Sequence, residues 1–248
     1  MLRVMTKAEY WDADDQELYK LIFYDPSMFH IKSMQDMVLL SRLRAEKNKT
    51  ILEIGGGNSR VLGYFSKSND CTNVDPMDGE HGGPKGARQN LPYKHIFAEI
   101  GASEQIIPDL SFDIVFSISV VEHVPSKNLA DFFADIARIL KPRGRMLHLI
   151  DSYLGVDEDI TAEARERFRH YRAAFETGLF EPFDAGQIMD ERQLVFHPSY
   201  ASNPDNIMNV WNHIAPSLID FRRRAQACSF VLDGYKADAK RTTRAGGA

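Results

Sequence analysis

The most informative stretch of this 248-residue chain is Ile51-Leu52-Glu53-Ile54-Gly55-Gly56-Gly57-Asn58-Ser59. A short apolar run that ends in glycines and then enters a helical pattern lets a ligand approach the backbone closely. The helix N-terminus beyond it favours negative charge. Asp75 follows Glu53 by 22 residues, at the end of the next stretch that reads as a strand. A carboxylate there can accept hydrogen bonds from both hydroxyls of a ribose. Together these residues imply a nucleoside-containing cofactor lying across the carboxyl edge of a sheet. A plain tight turn with an acid on its rim would give the same local string. The dinucleotide fingerprint Gly-x-Gly-x-x-Gly/Ala needs a small residue where Arg60 stands, and no P-loop ending in Gly-Lys-Ser/Thr is present. Gly55, Gly57 and Ser59 fit a Gly-x-Gly-x-small pattern instead.

Alternating elements must hold these residues. Thr50–Ile54, Cys71–Val74, Tyr93–Ala98, Phe112–Ser119 and Met146–Ile150 read as strands. One helix carries Val61, Leu62, Tyr64 and Phe65. Another, capped by Ser126, carries Leu129, Phe132, Phe133, Ile136 and Leu140. Lys141-Pro142 stops that helix and Arg143-Gly144 turns the chain into the next strand. Met77–Asn90, with Gly79, Gly82, Gly83, Pro84 and Gly86, reads as a loop. Strands and helices alternating at this spacing imply parallel βαβ units and an α/β, doubly wound sheet.

The flanks are less regular. Residues 1–48 read as a helical cap: Asp14 is placed as the cap of a short helix carrying Leu18, Leu21, Ile22 and Phe23, and a second helix runs from about Ile31 through Leu43. After the core at 49–151, region 152–240 offers an amphipathic helix at Thr161–Thr177 and a strand at Gln193–Phe196. A helix opening at Asn203-Pro204 carries Ile207, Met208, Val210, Trp211, Ile214, Leu218 and Phe221. Cys228–Lys236 reads as a last strand. The tail Arg241–Ala248 reads as frayed.

Composition bounds the function. Hydrophobic residues make up 44% of the chain and charged ones 26%, enough apolar material for one folded domain, 1–248. The net charge of −5 disfavours a nucleic-acid binder, because phosphate neutralisation supplies most of such affinity. No apolar run reaches the ~20 residues of a membrane span. The first residues lack a basic stretch followed by an apolar one, and Cys71 and Cys228 make no disulfide framework, so a cytoplasmic setting is expected. Arg222-Arg223-Arg224 reads as a helix C-terminus complementing the macrodipole.

The sequence resembles the class I S-adenosylmethionine-dependent methyltransferases. Four pieces carry the likeness in order over residues 50–151: LEIGGGNSR at Leu52–Arg60, NVDP at Asn73–Pro76, FDIVFSISVVEHV at Phe112–Val124 and ILKPRGRMLHLID at Ile139–Asp151. The resemblance implies a Rossmann-like, seven-stranded, mostly parallel sheet with N-terminal helices and a helical cap after the fifth strand. It also implies S-adenosylmethionine as cofactor. Gly55 and Gly57, within Gly55-Gly56-Gly57-Asn58-Ser59, would face the methionyl part, with Glu53 supporting the turn and reaching its ammonium. Asp75, followed by Pro76, would hold the ribose. Glu99 and the Ile100 N–H would meet the adenine, and Ser117, Ile118 and Ser119 would lie beneath the sulfonium. Ser59 departs from the family's usual third glycine, and the Met77–Asn90 loop stands where members usually have a helix.

Methyl transfer is an in-line displacement, and a hydroxyl acceptor also needs a base. His123, after the fourth strand, and Asp151, ending the fifth, are the candidates. His197 and Tyr200 lie in a polar stretch that could close over the site, whereas His148, inside a strand, reads as a satisfied core histidine. His30, His81, His95, His170 and His213 offer no ground for choice. No HxxxH, CxxC or clustered carboxylate spacing marks a metal site. The Asn/Asp-Pro-Pro-Tyr/Phe/Trp element that marks nucleobase and glutamine N-methylation in the family is absent. The acceptor pocket must come from the flanks, where Tyr10, Trp11, Tyr19, Phe23, Tyr24, Tyr171, Phe180 and Phe183 supply aromatic material. Arg167, Arg169 and Arg172 read as partners of Glu163, Glu166 and Glu176 on a solvated helix face. The expected function is methyl transfer to a small-molecule or sugar acceptor at oxygen, without nucleic-acid partners. A dinucleotide-dependent oxidoreductase or epimerase, or a cofactor-binding module without turnover, are the alternatives.

Overall fold

Apolar residues on alternate faces of short strands demand cover on both sides, and the chain provides it with helices. The computed structural model describes residues 1–22, 31–79, 84–86, 90–101, 106–155, 157–200 and 216–238. Its strands are β1 (Leu2–Val4), β2 (Thr50–Ile54), β3 (Asp70–Val74), β4 (Lys94–Ile96), β5 (Phe112–Ile118), β6 (Leu140–Gly155), β7 (Phe180–Pro182) and β8 (Ala225–Lys236). The helices are α1 (Lys7–Asp15), α2 (Ile31–Leu43), α3 (Arg60–Phe65), α4 (Leu129–Ile139), α5 (Glu158–Glu176) and α6 (Ile219–Arg224).

The strands form one sheet in the order β1-β8-β6-β5-β2-β3-β4, with β7 also paired to β8. Pairs β2–β3, β2–β5, β3–β4 and β5–β6 are parallel, while β8 runs antiparallel to β6, β1 and β7. The sheet is thus mostly parallel in its body and antiparallel at one end. Seven strand positions lie across it, as expected, but eight strands fill them. Both β1, against Phe230–Leu232, and β7, against Gly234–Lys236, occupy the outer edge of β8. Ile51 packs with α2 and α3 on one face and Leu52 with α4 and α5 on the other, the period-two pattern of a strand buried on both sides.

The first 48 residues are therefore not wholly helical. Leu2–Val4 is a strand because β8 offers it an unpaired edge. Ion pairs fasten it there: Arg3 meets Glu9 at 2.6 Å, Arg42 of α2 meets Glu9 at 2.6 Å, and Arg42 also meets the buried Asp233 of β8 at 3.3 Å. Thr6, not Asp14, caps α1, in a capping box with Glu9; Asp14 lies inside the helix, and Leu18–Ile22 is a separate 3-10 turn. Ser126 opens a 3-10 turn that precedes α4 rather than capping it. α4 stops at Ile139 and β6 already pairs at Leu140, opposite Phe112. Residues 141–144 are accommodated by a register shift, after which Arg145 faces Ile114. A Cβ at Gly144 would lie 2.9 Å from the Lys141 carbonyl, so this tight irregularity requires glycine.

Gln193–Phe196 is not a strand: Asp190 caps a 3-10 turn at Glu191–Gln193 and no ladder follows. Of α5's arginines only Arg172 meets its expected partner, Glu176; Arg169 pairs with Glu191, and Arg167 turns to the loop after β5. Arg222-Arg223-Arg224 does end a helix, α6. Phe23, Tyr24, His30, His81, His213, the tail 241–248 and most of the helix predicted from Asn203 lie outside the described residues, as does part of the Met77–Asn90 loop.

Candidate functional site

The parallel strands deliver their carboxyl ends to one edge. The chain passes from β2 outward to β3 and β4, then returns to β5 on the other side of β2, so a crevice opens where its direction reverses. Gly55 and Gly57 take φ of +64° and +55°, a conformation that side chains disfavour. A Cβ on Gly55 would stand 2.6 Å from Val120, and one on Gly56 would stand 2.5 Å from the Glu53 carboxyl carbon. The turn is held open by β3. Asn73, fully buried, accepts from the Gly56 N–H at 3.1 Å and donates to the Gly57 carbonyl at 2.9 Å. Asp75 accepts from the Gly57 N–H at 2.9 Å and from the Met77 N–H at 2.7 Å. His95 of β4 steadies both, with Nδ1 3.3 Å from Asn73 Nδ2 and Nε2 3.1 Å from the Asp75 carbonyl oxygen. Ser59 caps α3 through the Leu62 N–H at 3.0 Å.

Beneath the turn, Glu53 is buried and its Oε2 has no hydrogen-bond partner. Burial pushes its pKa up to about 8; a bond from Ser59 opposes this, and the charges of Asp36 and Asp75 add to it. Asp36 of α2 is raised to about 6 by burial against the pull of Arg60, whose guanidinium lies 3.0 Å away. A buried acid with an open oxygen beside a turn that tolerates no Cβ fits a cationic group approaching from the cleft.

That cleft, of about 710 Å³, is lined by Gly55, Gly56, Gly57, Asn58, Asp75, Pro76, Glu99, Ile100, Ile118 and Ser119 among the residues singled out for cofactor binding. Glu53 lies under it, Ser59 sits at the helix cap, and Ser117 is wholly buried with Oγ 2.8 Å from His148 Nδ1. His148 is a core histidine, as expected, but its Nε2 has no partner. Burial among Phe132 and Phe133 drives its pKa down to about 3.

On the far side, His123 and Lys32 line the cleft and Asp151 stands behind Ser119. Ser119 leaves β5 at φ +52° and donates towards Gln35 Oε1 at 2.9 Å and Asp151 Oδ1 at 3.0 Å. Burial raises the Asp151 pKa, against the bonds from Gln35 and Ser119. Glu122 is pushed up to about 8 by burial and then by the Asp151 charge, and its Oε2 has no partner. Its Oε1 lies 3.8 Å from His123 Nε2. Arg167 pins this turn, donating to the carbonyls of Val121 at 2.7 Å and Val124 at 3.0 Å. The cleft therefore presents the glycine turn with Asp75 and Glu99 at one end and His123 at the other, with Glu122 beside His123 and Asp151 behind Ser119. The rings of His197 and Tyr200 lie 5.4 Å apart, tilted by 49°, and are not among the residues lining it. Among the described residues no three His, Cys, Asp or Glu side chains are grouped as a metal site.

Reasoning from the sequence missed Asn73, His95, Gln35 and Arg167. Asn73 and His95 carried a signal, since each stands on a strand beside the glycine turn. Gln35 and Arg167 carried none, because their partners are 116 and 46 residues distant.

Residues 29–194 match the family described as "Methyltransferase domain". The "Probable tocopherol O-methyltransferase, chloroplastic" of Oryza sativa subsp. japonica is 34% identical over 107 residues, 41% of this chain and 29% of that protein. Its counterpart named from Arabidopsis thaliana is 32% identical over 106 residues, 41% of this chain and 30% of that one. The match thus spans under a third of those relatives' length. Among solved structures, a candidate sarcosine dimethylglycine methyltransferase from Galdieria sulphuraria shares the fold with a TM-score of 0.56 at 14% identity, covering 92% of this chain and 99% of that one. Phosphoethanolamine N-methyltransferase 2 of Haemonchus contortus, in complex with S-adenosyl-L-methionine, gives 0.52 at 15% identity, covering 91% and 57%.

Proposed function

Since the chain belongs to the methyltransferase domain family of the S-adenosylmethionine-dependent class I type, we propose that it transfers a methyl group to the oxygen of a small hydroxylated acceptor. The observation that carries the reading is the unpartnered Glu53 oxygen beneath Gly56, beside a glycine turn whose Gly57 N–H is tied to Asp75. S-adenosylmethionine supplies a methyl group already activated on a sulfonium. Glu53 and the glycine turn, from Gly55 to Ser59, would hold its ammonium and carboxylate. Asp75, with Pro76 behind it, would take the ribose hydroxyls on its remaining lone pairs. Glu99 and the Ile100 N–H would meet the adenine, while the β5 end, Ser117 to Ser119, would lie under the reacting centre.

The protein's task is alignment and exclusion of water. His123, which lines the cleft, would take the hydroxyl proton, and Asp151, behind Ser119, is the alternative base. Transfer to oxygen is supported by these bases, by the tocopherol O-methyltransferase names of the two relatives and by Ser-Ile-Ser-Val at Ser117–Val120 where an amine-binding Pro-Pro element would stand. Cys71 and Cys228 are free and buried, which supports a reducing, cytoplasmic setting, and no helix among the described residues is long and apolar enough to cross a membrane. The acceptor side is assigned to residues 1–48 and 152–240 around the 49–151 core.

The test is calorimetric titration with S-adenosylhomocysteine beside NAD and NADP, followed by transfer of labelled methyl to phenols, hydroxylated sugars and quinols. Micromolar binding of S-adenosylhomocysteine alone and label on a hydroxyl oxygen are expected. Dinucleotide binding would overturn the cofactor assignment, and label only on amines would overturn the oxygen assignment.

A further inference from the structure

Glu53, Asn73 and His95 stand in one row across β2, β3 and β4, so their side chains lie on the same face of the sheet. The glycine turn spends its three leading N–H groups on β3 and the residue after it. Gly55 donates to the Val74 carbonyl at 2.8 Å, Gly56 to Asn73 Oδ1 at 3.1 Å and Gly57 to Asp75 Oδ2 at 2.9 Å. The first of these bonds is backbone to backbone. The second depends on which way the Asn73 amide is turned. A flipped amide would set Nδ2 against the Gly56 N–H and Oδ1 against the Gly57 carbonyl, and Asn73 is fully buried, so no water would relieve the mismatch.

The orientation of that amide is fixed from β4. His95 Nε2 lies 3.1 Å from the Asp75 carbonyl oxygen, which can only accept, so Nε2 carries the proton. The neutral imidazole then has a bare Nδ1, an acceptor, and it stands 3.3 Å from Asn73 Nδ2. One Nδ2 proton of Asn73 serves the Gly57 carbonyl at 2.9 Å, which leaves the other for His95 Nδ1. Every donor along Asn73, His95 and Asp75 meets an acceptor in this arrangement alone. The opposite tautomer would set two donors face to face at Asn73 and two acceptors face to face at Asp75.

We propose that His95 is a positioning residue of the cofactor site: held as the Nε2–H tautomer by the Asp75 carbonyl, it fixes the Asn73 amide, which in turn aligns the Gly56 and Gly57 peptide groups for the cofactor. This rests on the methyltransferase reading above and adds to it a β4 residue that does not line the cleft yet sets how tightly the cofactor is held.

The experiment measures S-adenosylhomocysteine affinity of the full chain by calorimetry at fixed pH and reads the His95 tautomer by ¹⁵N NMR of histidine-labelled protein, the His95 signals being those lost in His95→Asn. A protonated Nε2 and a bare Nδ1 are expected. His95→Asn keeps an acceptor at the place of Nδ1 and should bind within about threefold of wild type. His95→Gln, whose amide reaches only the place of Nε2, and His95→Phe should each bind about tenfold more weakly, the scale of one buried hydrogen bond. Asn73→Ser should also weaken binding, and adding His95→Phe to it should cost nothing further, because a residue that acts through another has no effect once that other is gone. If Asn73→Ser does not fold, the tautomer and the order of the His95 variants decide; if His95→Phe does not fold, His95→Gln takes its place. Wild type that binds but carries the Nδ1–H tautomer overturns this inference alone. So do additive losses in the double variant, a loss in His95→Asn as large as in His95→Phe, or variants that lower the urea midpoint and leave affinity unchanged. Wild type that fails to bind S-adenosylhomocysteine overturns the methyltransferase reading, and this inference with it.

Discussion

Raising the pH from 6 to 7.5 should tighten S-adenosylhomocysteine binding, because Glu53 must lose a proton before it can pair with the ligand's ammonium group. The free chain holds this carboxyl at about 8, through burial and the neighbouring Asp36 and Asp75 charges. An ammonium within hydrogen-bond reach lowers a carboxyl pKa by about 1–3 units; with a fall of about 2 units, the dissociation constant drops roughly tenfold across that pH interval. Near pH 7, binding then releases about 0.8 proton per site. Calorimetry in two buffers of different ionisation enthalpy reads the proton count directly. Asp36, raised to about 6, titrates in the same window, so Glu53→Gln serves to assign the proton. That variant should bind more weakly at pH 7.5, release no proton and show a flat profile. Stability should move the other way. The folded pKa of Glu53 lies above its ordinary value of 4.5, so the wild type loses stability as pH rises from 4.5 through 8. Glu53→Gln escapes that loss and should show a higher urea midpoint at pH 8. A proton count near zero in wild type, or a pH profile unchanged by Glu53→Gln, would refute the reasoning.

Asp75→Ala removes acceptors from the Gly57 and Met77 N–H groups and should weaken S-adenosylhomocysteine binding by about 1–3 kcal/mol, read by calorimetry. An unchanged constant would remove Asp75 from the site. His123→Ala should lower kcat about 10²–10⁴-fold with cofactor affinity intact, and parallel loss of both would mark it as structural. Glu9 is held at about 2, its burial outweighed by bonds from Arg3, Thr6 and Arg42. Its contribution is present above its ordinary pKa of 4.5 and lost as pH falls through 2, so Glu9→Gln should cost about 3 kcal/mol at pH 7 and progressively less in acid. A difference in urea stability that stays constant with pH would contradict that pairing.

The parallel centre of the sheet and the glycine turn that lines the cleft were legible in the sequence. β2 and β5 are short, mainly apolar runs closed by a turn, β3 is a short run closed by Asp75-Pro76, and the glycines at 55 and 57 are required by their own backbone angles. These features are local: a few consecutive residues determine them, and Asp75 needed only its place at the end of β3. The brace on the glycine turn was half legible, for Asn73 and His95 sit on neighbouring strands, yet only the β2–β3–β4 register sets their side chains against each other and the turn.

The edge of the sheet and the polar cluster around Gln35 were decided by tertiary contact. Leu2–Val4 is too short to declare itself a strand and becomes one because β8 lies open beside it, more than 220 residues later in the chain. Gln193–Phe196 has strand-like residues but no partner edge to pair with. Gln35, Ser119, Asp151 and Ser229 come from α2, the end of β5, β6 and β8, and no spacing along the chain connects them. Sequence by itself determined the sheet's core, the glycine turn and the acid beneath it, because backbone preference and apolar periodicity act over a few residues. Which carboxylates lie buried together, and which of their oxygens remain free, was decided by the tertiary structure, because desolvation and hydrogen bonding depend on what packs nearby in space.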